Sequence, residues 1–326
     1  MDVPSWVERL ARGDKAALAR AITLVENRAP GARELVRQAF LRGGSSLVVG
    51  LTGPPGVGKS TLASGLARAF LGRGRRVGVL AVDPTSPFSG GAILGDRIRM
   101  QEAAGEPGVF IRSLATRGHA GGLCRAIGDS IRLLEAAGFD PILVETVGAG
   151  QGEVEVMRYA DTVLVLLMPG LGDDIQAIKA GILEIGDVFV VNKADLPGAD
   201  RMVRTLELLL ELKPLPPGTW RPPVLAVVAR DMVGVEELTQ AILDHAGHLK
   251  GSGGWEARRA AQAEAELGDA LQEQLLGAVV GRAKEAGEWG RAAARIRERQ
   301  SDPYTEAWAL VERFGPGLSA PHAPED

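Results

Sequence analysis

The strongest constraint on the fold is an alternation of two kinds of segment between residues 46 and 244. Short apolar runs rich in β-branched residues alternate there with longer amphipathic stretches. Runs that are apolar throughout predict strands buried on both faces, and the long stretches between them suit the crossover connections of parallel strands. The pattern therefore predicts an α/β fold with a mostly parallel central sheet. The predicted strands are residues 46–51, 77–82, 109–111, 142–144, 163–167, 188–191 and 224–228.

Helical patterns flank this central region on both sides. Residues 1–45 space their apolar side chains at helical intervals and predict a helical N-terminal lead-in. The glycine-rich residues 250–254 predict a flexible linker, and the Ala-, Glu- and Arg-rich residues after them predict long helices. We therefore predict an N-terminal helical extension (1–45), a central domain (46–249), a helical C-terminal arm (250–314) and a disordered tail (315–326).

A phosphate-binding loop follows the first apolar run. Residues 53–60 read Gly-Pro-Pro-Gly-Val-Gly-Lys-Ser, and a helical pattern begins at Thr61. In such a loop the glycines let backbone N–H groups surround phosphates, Lys59 reaches the β- and γ-phosphates, and the Ser60 hydroxyl binds Mg²⁺. The positive end of the following helix points at the same anion. The central domain is therefore predicted to be a P-loop NTPase, with nucleotide contacts from Gly53, Pro54, Pro55, Gly56, Val57, Gly58, Lys59, Ser60 and Thr61.

A second motif selects the base. Asn192, Lys193 and Asp195 form an Asn-Lys-x-Asp sequence at the end of an apolar strand. A carboxylate at Asp195 accepts hydrogen bonds from the N1–H and the exocyclic amine of guanine, while the Lys193 stem covers the base face. Adenine would leave that carboxylate unpaired, which is costly. We therefore predict GTP and GDP as the ligands and GTP hydrolysis as the reaction; a polar strand end with a helix cap is the structural alternative.

Three carboxylates are candidates for the metal. Asp83 ends one predicted strand, Asp96 lies in a glycine-rich loop, and Glu145 ends another strand in the sequence Glu-Thr-Val-Gly. With Ser60 they predict a Mg²⁺ site at the carboxyl edge of the sheet. Gly148 occupies the place where a backbone amide senses the γ-phosphate.

The hydrolytic groups follow from the same region. Lys59 and the loop amides would stabilise the charge that develops as water attacks the γ-phosphate. Gln151 is a candidate for orienting that water, and a surface or interface glutamine is the alternative.

Charge and cysteine content exclude several classes of protein. A formal net charge of -4 argues against general nucleic-acid binding, and a single cysteine excludes a disulfide framework. The N-terminus lacks an apolar signal core, and no run approaches membrane-spanning length. We expect a cytoplasmic protein with no nucleic-acid or membrane partner.

Further segments are informative, and several of them have no counterpart in small signalling GTPases: residues 18–26, 82–84, 90–100, 115–118, 121–123, 145–151 and 169–179. Together with the two nucleotide motifs, they resemble the methylmalonyl-CoA mutase-associated GTPases of the MeaB type, some of which were once described as arginine/ornithine transport kinases. The resemblance covers most of the chain.

This resemblance implies a function more specific than GTP hydrolysis. Members of the family are G-protein chaperones of an adenosylcobalamin-dependent acyl-CoA mutase, in which they gate cofactor delivery and protect the mutase from inactivation. It also implies a homodimer formed through the C-terminal helices. Residues 172–179 would be a third switch loop that couples the mutase to GTP hydrolysis, with Lys179 as its catalytic contribution.

The chain departs from the family pattern near the base. A Ser-Ala-x-x-Gly segment is usual there, whereas residues 227–234 read Val-Val-Ala-Arg-Asp-Met-Val-Gly, so a serine hydrogen bond is missing. Two alternative functions share the fold: a metal-insertion GTPase and a small-molecule kinase. The histidines are scattered, and the His245 and His248 pair at helical spacing is more typical of a solvated helix end than of a metal site. The guanine motif argues against a kinase, since most kinases use ATP.

Overall fold

The protein contains a parallel β-sheet flanked by helices. Its computed structural model describes residues 2–83, 105–115, 120–146, 158–170, 182–212, 216 and 218–315. Within these ranges the sheet has seven strands in the order β3-β2-β4-β1-β5-β6-β7, and every neighbouring pair is parallel. The α/β prediction and each predicted strand are confirmed. The strands are β1 (Val48–Thr52), β2 (Val77–Asp83), β3 (Val109–Ala115), β4 (Ile142–Thr146), β5 (Thr162–Leu167), β6 (Val188–Asn192) and β7 (Val224–Val227).

Helices precede, connect and follow these strands. The lead-in is helical, as its periodicity predicts, and contains three helices, in which Leu10, Leu18, Ile22 and Leu35 are fully buried. The described helices are α1 (Val3–Ala11), α2 (Lys15–Glu26), α3 (Ala32–Arg42), α4 (Lys59–Gly72), α5 (Ala120–Ala136), α6 (Ile182–Ile185), α7 (Ala199–Glu211), α8 (Val235–Ser252), α9 (Gly254–Glu285), α10 (Glu288–Arg297) and α11 (Pro303–Phe314).

The sheet separates two apolar layers. Alternate residues of one strand enter opposite layers, as the two-residue period of a strand requires. On β5, Val163 and Val165 pack with the lead-in helices and α5, whereas Leu164 and Leu166 pack with α4 and α8. Because both layers are apolar, the strands inside the sheet have hydrophobic residues on both faces, whereas the edge strand β3 also contains Arg112 and Ser113.

The strand order also locates the ligand edge. β1 lies between β4 and β5, and the chain crosses from β1 toward one side of the sheet and later toward the other. Ligands of open parallel sheets bind at the carboxyl ends of strands where the order reverses in this way. The carboxyl end of β1 leads directly into the glycine-rich loop.

The predicted flexible linker is wrong. α8 continues through Lys250 to Ser252, and α9 begins at Gly254. Gly253 alone interrupts the helices, with a φ of 76° that glycine adopts without strain. Trp255 is buried against the α4 and α8 layer, and the Lys250 ammonium lies 4.7 Å from its ring centre. This burial fixes the junction, which glycine composition alone could not indicate.

The chain forms two compact units, of which one ends at Arg259 and the other begins at Ala260. The first unit therefore contains the initial turns of α9. Apart from Gly315, the predicted disordered tail lies outside the described residues. Within the described ranges, no helix combines the length and the apolar character that crossing a bilayer requires.

Candidate nucleotide-binding site

The glycine-rich loop between β1 and α4 has a backbone that only glycines adopt without strain. Gly53, Gly56 and Gly58 have φ values of 145°, 77° and 96°. A β-carbon at Gly53 would lie 2.3 Å from the Leu166 carbonyl oxygen, so the loop passes directly against β5. α4 begins at Lys59, immediately after Gly58. The loop thus presents backbone N–H groups and a helix N-terminus to the same space, which is an anion-binding arrangement.

Lys59 lies inside this loop. Its side chain is buried, and Nζ donates hydrogen bonds to the carbonyl oxygens of Gly53 (2.5 Å) and Pro54 (3.1 Å). An ammonium group buried in this way needs oxygen partners. Phosphate oxygens are stronger acceptors than carbonyls, so a nucleotide would offer Lys59 better partners in the same space.

Ser60 and Glu145 meet at the end of β1 and β4. The Ser60 hydroxyl donates a 2.6 Å hydrogen bond to Glu145 Oε1, and both residues are buried. Strand pairing explains the meeting, because Glu145 lies opposite Leu51 in the β1–β4 register and Ser60 follows the loop that β1 enters. Two buried oxygen groups beside a phosphate loop are suitable donors for Mg²⁺ or its water ligands. The described part of the site therefore fits that ion.

Other sequence candidates are less fully described. Asp83 is the last residue of β2, which pairs with β4, so its backbone lies at the same sheet edge. Thr61 is exposed on the first turn of α4. Asp96, Gly148, Gln151 and Lys179 lie outside the described residues, and their roles stay predictions.

Asn192 joins the two nucleotide motifs. Its Nδ2 donates to the Val57 carbonyl (2.8 Å), and its Oδ1 accepts from the Ala229 amide (3.1 Å). A β-carbon at Gly58 would lie 2.5 Å from Asn192 Nδ2, so the loop and this side chain are closely packed. Lys193, with a φ of 56°, adds a 2.8 Å bond from Nζ to the Gly56 carbonyl. The phosphate loop and the base motif are therefore one connected structure.

Asp195 faces an arginine that sequence reasoning did not single out. Its side chain is 42% exposed, and Oδ2 lies 3.7 Å from Arg230 Nη2. Arg230 belongs to residues 227–234, where the expected serine is absent. That departure was the only sequence signal that drew attention to this turn.

His245 is not at a solvated helix end, so that prediction is wrong. It is 1% exposed; Nδ1 lies 2.9 Å from Thr162 Oγ1 and Nε2 lies 3.3 Å from Asp187 Oδ1. Burial lowers its pKa to about 4, although Asp187 opposes this shift. Both ring nitrogens have partners, so the histidine has a structural role. In the described ranges, no group of three or more His, Cys, Asp and Glu side chains is arranged to hold a metal ion.

Comparison with known proteins gives concordant results. The family model described as methylmalonyl Co-A mutase-associated GTPase MeaB matches residues 18–284. A protein of Pyrococcus abyssi that is named as a GTPase is 47% identical over 97% of this chain and 98% of its own length. The mitochondrial methylmalonic aciduria type A homolog of Caenorhabditis elegans is 34% identical over 96% of this chain and 83% of its own. The solved structure of a LAO/AO transport system kinase has a TM-score of 0.71 and 29% identity, and the match covers 96% of this chain and 98% of that one.

The matches extend well beyond the phosphate loop. The family model begins within α2 and ends within the last turn of α9, so it includes the whole described nucleotide site. The resemblance inferred from the motifs is confirmed. This chain belongs to the methylmalonyl-CoA mutase-associated GTPase family, MeaB, and is a GTPase.

Proposed function

We propose that this GTPase is a chaperone of an adenosylcobalamin-dependent acyl-CoA mutase, which gates delivery of the cofactor and protects the mutase from inactivation. The observation that carries the proposal is the family match over residues 18–284, since it includes helices remote from the phosphate loop. The family name associates its members with methylmalonyl-CoA mutase, so that enzyme is the first client to test. The similarity to a methylmalonic aciduria homolog supports the same client.

The proposed chemistry uses positioning and charge. The loop amides and Lys59 would hold the β- and γ-phosphates, and they would stabilise the charge that develops as water attacks in line. Asp195 would read guanine through both carboxylate oxygens, beside the Lys193 stem. The hydrogen bond from Asn192 to the Val57 carbonyl supports this scheme, because it fixes the distance between the phosphate and base subsites.

Ser60 and Glu145 would hold Mg²⁺, together with Asp83 and Asp96. The ion, when bound with GTP, neutralises charge on the phosphates. The 2.6 Å hydrogen bond between Ser60 and Glu145 supports this assignment, since it keeps both oxygen donors at one point of the sheet edge. Three further residues complete the proposal. The γ-phosphate sensor would be Gly148, the residue that orients the water would be Gln151, and the switch loop would contribute Lys179.

We also propose a homodimer through the C-terminal arm. α9 exposes leucines on successive turns: Leu267 is 70% exposed, Leu271 is 57% exposed and Leu276 is 61% exposed. Consecutive exposed leucines on a helix commonly mark an interface.

The decisive experiment measures GTP and ATP turnover with Mg²⁺, alone and with a cobalamin-dependent acyl-CoA mutase from the same source. Slow, GTP-specific hydrolysis that rises sharply when the mutase is added would support the chaperone function. Turnover that does not respond to several acyl-CoA mutases would contradict it. ATP preference would contradict the base assignment.

A variant of Asp195 tests the assignment of guanine as the base, independently of which mutase is the client. Asp195→Asn should lose GTP affinity and gain affinity for xanthosine triphosphate, because xanthine presents an acceptor where guanine presents an amine. If Asp195→Asn leaves the preference for GTP unchanged, the base is read elsewhere, whatever the mutase result.

A further inference from the structure

The turn that carries Arg230 is fixed by backbone hydrogen bonds. Val228 and Val233 pair across it, with N to O distances of 3.0 and 3.3 Å, and the Asp231 amide donates to the Val228 carbonyl at 3.0 Å. The Ala229 amide donates to Asn192 Oδ1 at 3.1 Å, which attaches the turn to the base motif. The position of this turn relative to β6 is therefore set by the fold.

The opposite side of the turn packs against the phosphate-binding helix. Met232 has a φ of 62°, and a β-carbon at Gly65 of α4 would lie 3.2 Å from Met232 Sδ. A β-carbon at position 65 would therefore be in tight contact with the Met232 side chain. Because both sides of the turn are held, the Arg230 backbone has a fixed position beside Asp195.

The Arg230 side chain is oriented by its neighbour. Nε and Nη2 donate to Asp231 Oδ1 (3.1 Å) and Oδ2 (2.8 Å), a two-bond geometry that orients the guanidinium plane. Nη2 then lies 3.7 Å from Asp195 Oδ2. Asp231, and to a lesser degree Asp195, raise the pKa of Arg230, so the cation is permanent.

Guanine recognition places a strict demand on Asp195. Both carboxylate oxygens must point at the base edge, one toward N1–H and one toward the exocyclic amine. A carboxylate that is 42% exposed rotates freely unless a neighbour restrains it. Val228 and Ala229, which precede Arg230, have apolar side chains and offer the carboxylate no hydroxyl partner. At 3.7 Å, Arg230 attracts Oδ2 without occupying its hydrogen-bonding positions.

We propose that Arg230, oriented by Asp231, is a positioning residue for guanine selectivity: it holds the Asp195 carboxylate in the plane of the base. The proposal rests on the reading of guanine by Asp195 described above. It assigns Arg230 no contact with the phosphates and no role in the hydrolytic step.

The test compares two bases that differ in one amine. Guanine uses both oxygens of Asp195, whereas hypoxanthine, the base of inosine diphosphate, donates only through N1–H. In Arg230→Gln the Kd for GDP should rise roughly three- to fivefold, as for loss of one exposed charge pair, while the Kd for inosine diphosphate stays nearly constant. The matched control is Arg297→Gln, because Arg297 also pairs with its neighbour, Glu298, at 3.2 Å and is exposed. The Kd for GDP and the Kd for inosine diphosphate should both be unchanged in that control.

Three results of this comparison would overturn the proposal. Equal weakening of GDP and inosine diphosphate would mean that Arg230 acts as a general cation. Tighter GDP binding would mean that Arg230 competes with guanine for Asp195. Unchanged GDP binding in a variant that folds normally would mean that Asp195 needs no such partner. Thermal unfolding of each variant establishes normal folding.

A double-variant cycle tests the coupling to Asp195. In the Asp195→Asn background, measured with xanthosine diphosphate, Arg230→Gln should have no further effect. The same weakening in both backgrounds would mean that Arg230 contacts the base directly, and the proposal would fail. Asp231→Asn should lower the ratio of GDP to inosine diphosphate affinity in the same direction as Arg230→Gln. If Asp195→Asn alone fails to shift the preference to xanthosine diphosphate, the base assignment itself fails, which is distinguishable from a failure specific to Arg230.

Discussion

At the scale of single residues, the site depends on contacts between positions far apart in the chain. Asn192 lies in the base motif, yet its two hydrogen bonds end on Val57 of the phosphate loop and Ala229 of the following turn. Such a residue contributes to nucleotide affinity through structure, because both subsites lose their relative position when it moves. Gly58, against which Asn192 packs, shares this role.

Gly58→Ala should therefore impair nucleotide binding. The new β-carbon would lie 2.5 Å from Asn192 Nδ2, and alanine would be strained at a φ of 96°. We expect GDP affinity to fall at least about tenfold, the effect of losing one buried hydrogen bond and its geometry. Isothermal titration calorimetry measures the change.

Gly74→Ala is the matched control for that variant. Gly74 also has a positive φ, of 75°, but a β-carbon there meets no atom within 4 Å. It should cost about 1 kcal/mol of unfolding free energy and leave GDP affinity unchanged. If both variants bind GDP equally well, the packing of Asn192 against the loop does not contribute to GDP affinity.

His245 predicts a pH dependence of stability. Its folded pKa of about 4 lies below the ordinary value of 6.5, so the unfolded chain takes up the proton first as pH falls. Above pH 6.5 the histidine is neutral in both states and does not reduce the free energy of unfolding. As the pH falls from 6.5 to about 4, the free energy of unfolding decreases by about 3 kcal/mol. Burial raises the pKa of Asp161 and of Glu135, which act in the opposite direction.

Two measurements isolate the histidine from those carboxylates. The imidazole C2 proton should titrate near pH 4 in the NMR spectrum, and His245→Asn should flatten the wild-type loss of stability between pH 6.5 and 4. Titration near 6.5 would show that the ring is accessible to water, contrary to its burial among Thr162, Asp187 and Trp220.

At the scale of elements, the sequence indicated strands and motifs well and the connections between elements poorly. Apolar runs identified each strand of the described residues, because most strand positions are covered on both faces, but the polar Arg112 and Ser113 concealed the second half of the edge strand β3. The helical junction at Gly253 was missed, because Trp255 and Arg258 stabilise it through partners distant in sequence. Arg230 was missed for the same reason: its position depends on a turn held by Asn192 and Gly65.

The first turns of α9 are anchored to the amino ends of the central strands. Arg258 donates to both oxygens of Asp187, at 2.9 and 3.0 Å, and to the Asp161 carbonyl. Arg259 bonds Asp161 and the Ser46 carbonyl, each at 2.7 Å. Asp187 and Asp161 directly precede β6 and β5, and Ser46 lies two residues before β1. The helix therefore stabilises three strands whose opposite ends bear the nucleotide site.

Removing this anchor should lower the free energy of unfolding. Arg258→Gln leaves the largely buried Asp187 without its strongest partner, so we expect a loss of about 2 kcal/mol in the free energy of unfolding. Urea denaturation measures the loss. Arg313→Gln breaks a comparable 2.6 Å pair with Glu288 whose arginine is 63% exposed, and it should cost under about 1 kcal/mol. Equal losses would mean that the anchor contributes no more than a surface pair.

At the scale of the whole molecule, the chain divides after Arg259 into a large unit and a small helical one. The described part of the small unit has a core of few residues, with Val279, Ala283, Ala292 and Leu310 buried. So small a core stabilises a unit weakly, which agrees with a proposed role in self-association.

Truncation tests that role. A chain ending at residue 263 retains Trp255, Arg258 and Arg259, and it should fold, bind GDP like the full chain and be monomeric by light scattering. A chain ending at residue 253 loses all three and should be markedly less stable to urea. A dimer that persists without residues 264–326 would contradict the proposed interface.

The link from Asn192 to Val57 and Ala229 also has a consequence during synthesis. The phosphate loop is complete once residue 60 has been made, but its partner is 135 positions from Val57, and the turn that fixes this partner is 37 positions further on. A nascent chain therefore carries a recognisable phosphate motif long before it has a finished pocket. We therefore expect the complete GTP site to form only after the segment around Ala229 has been synthesised.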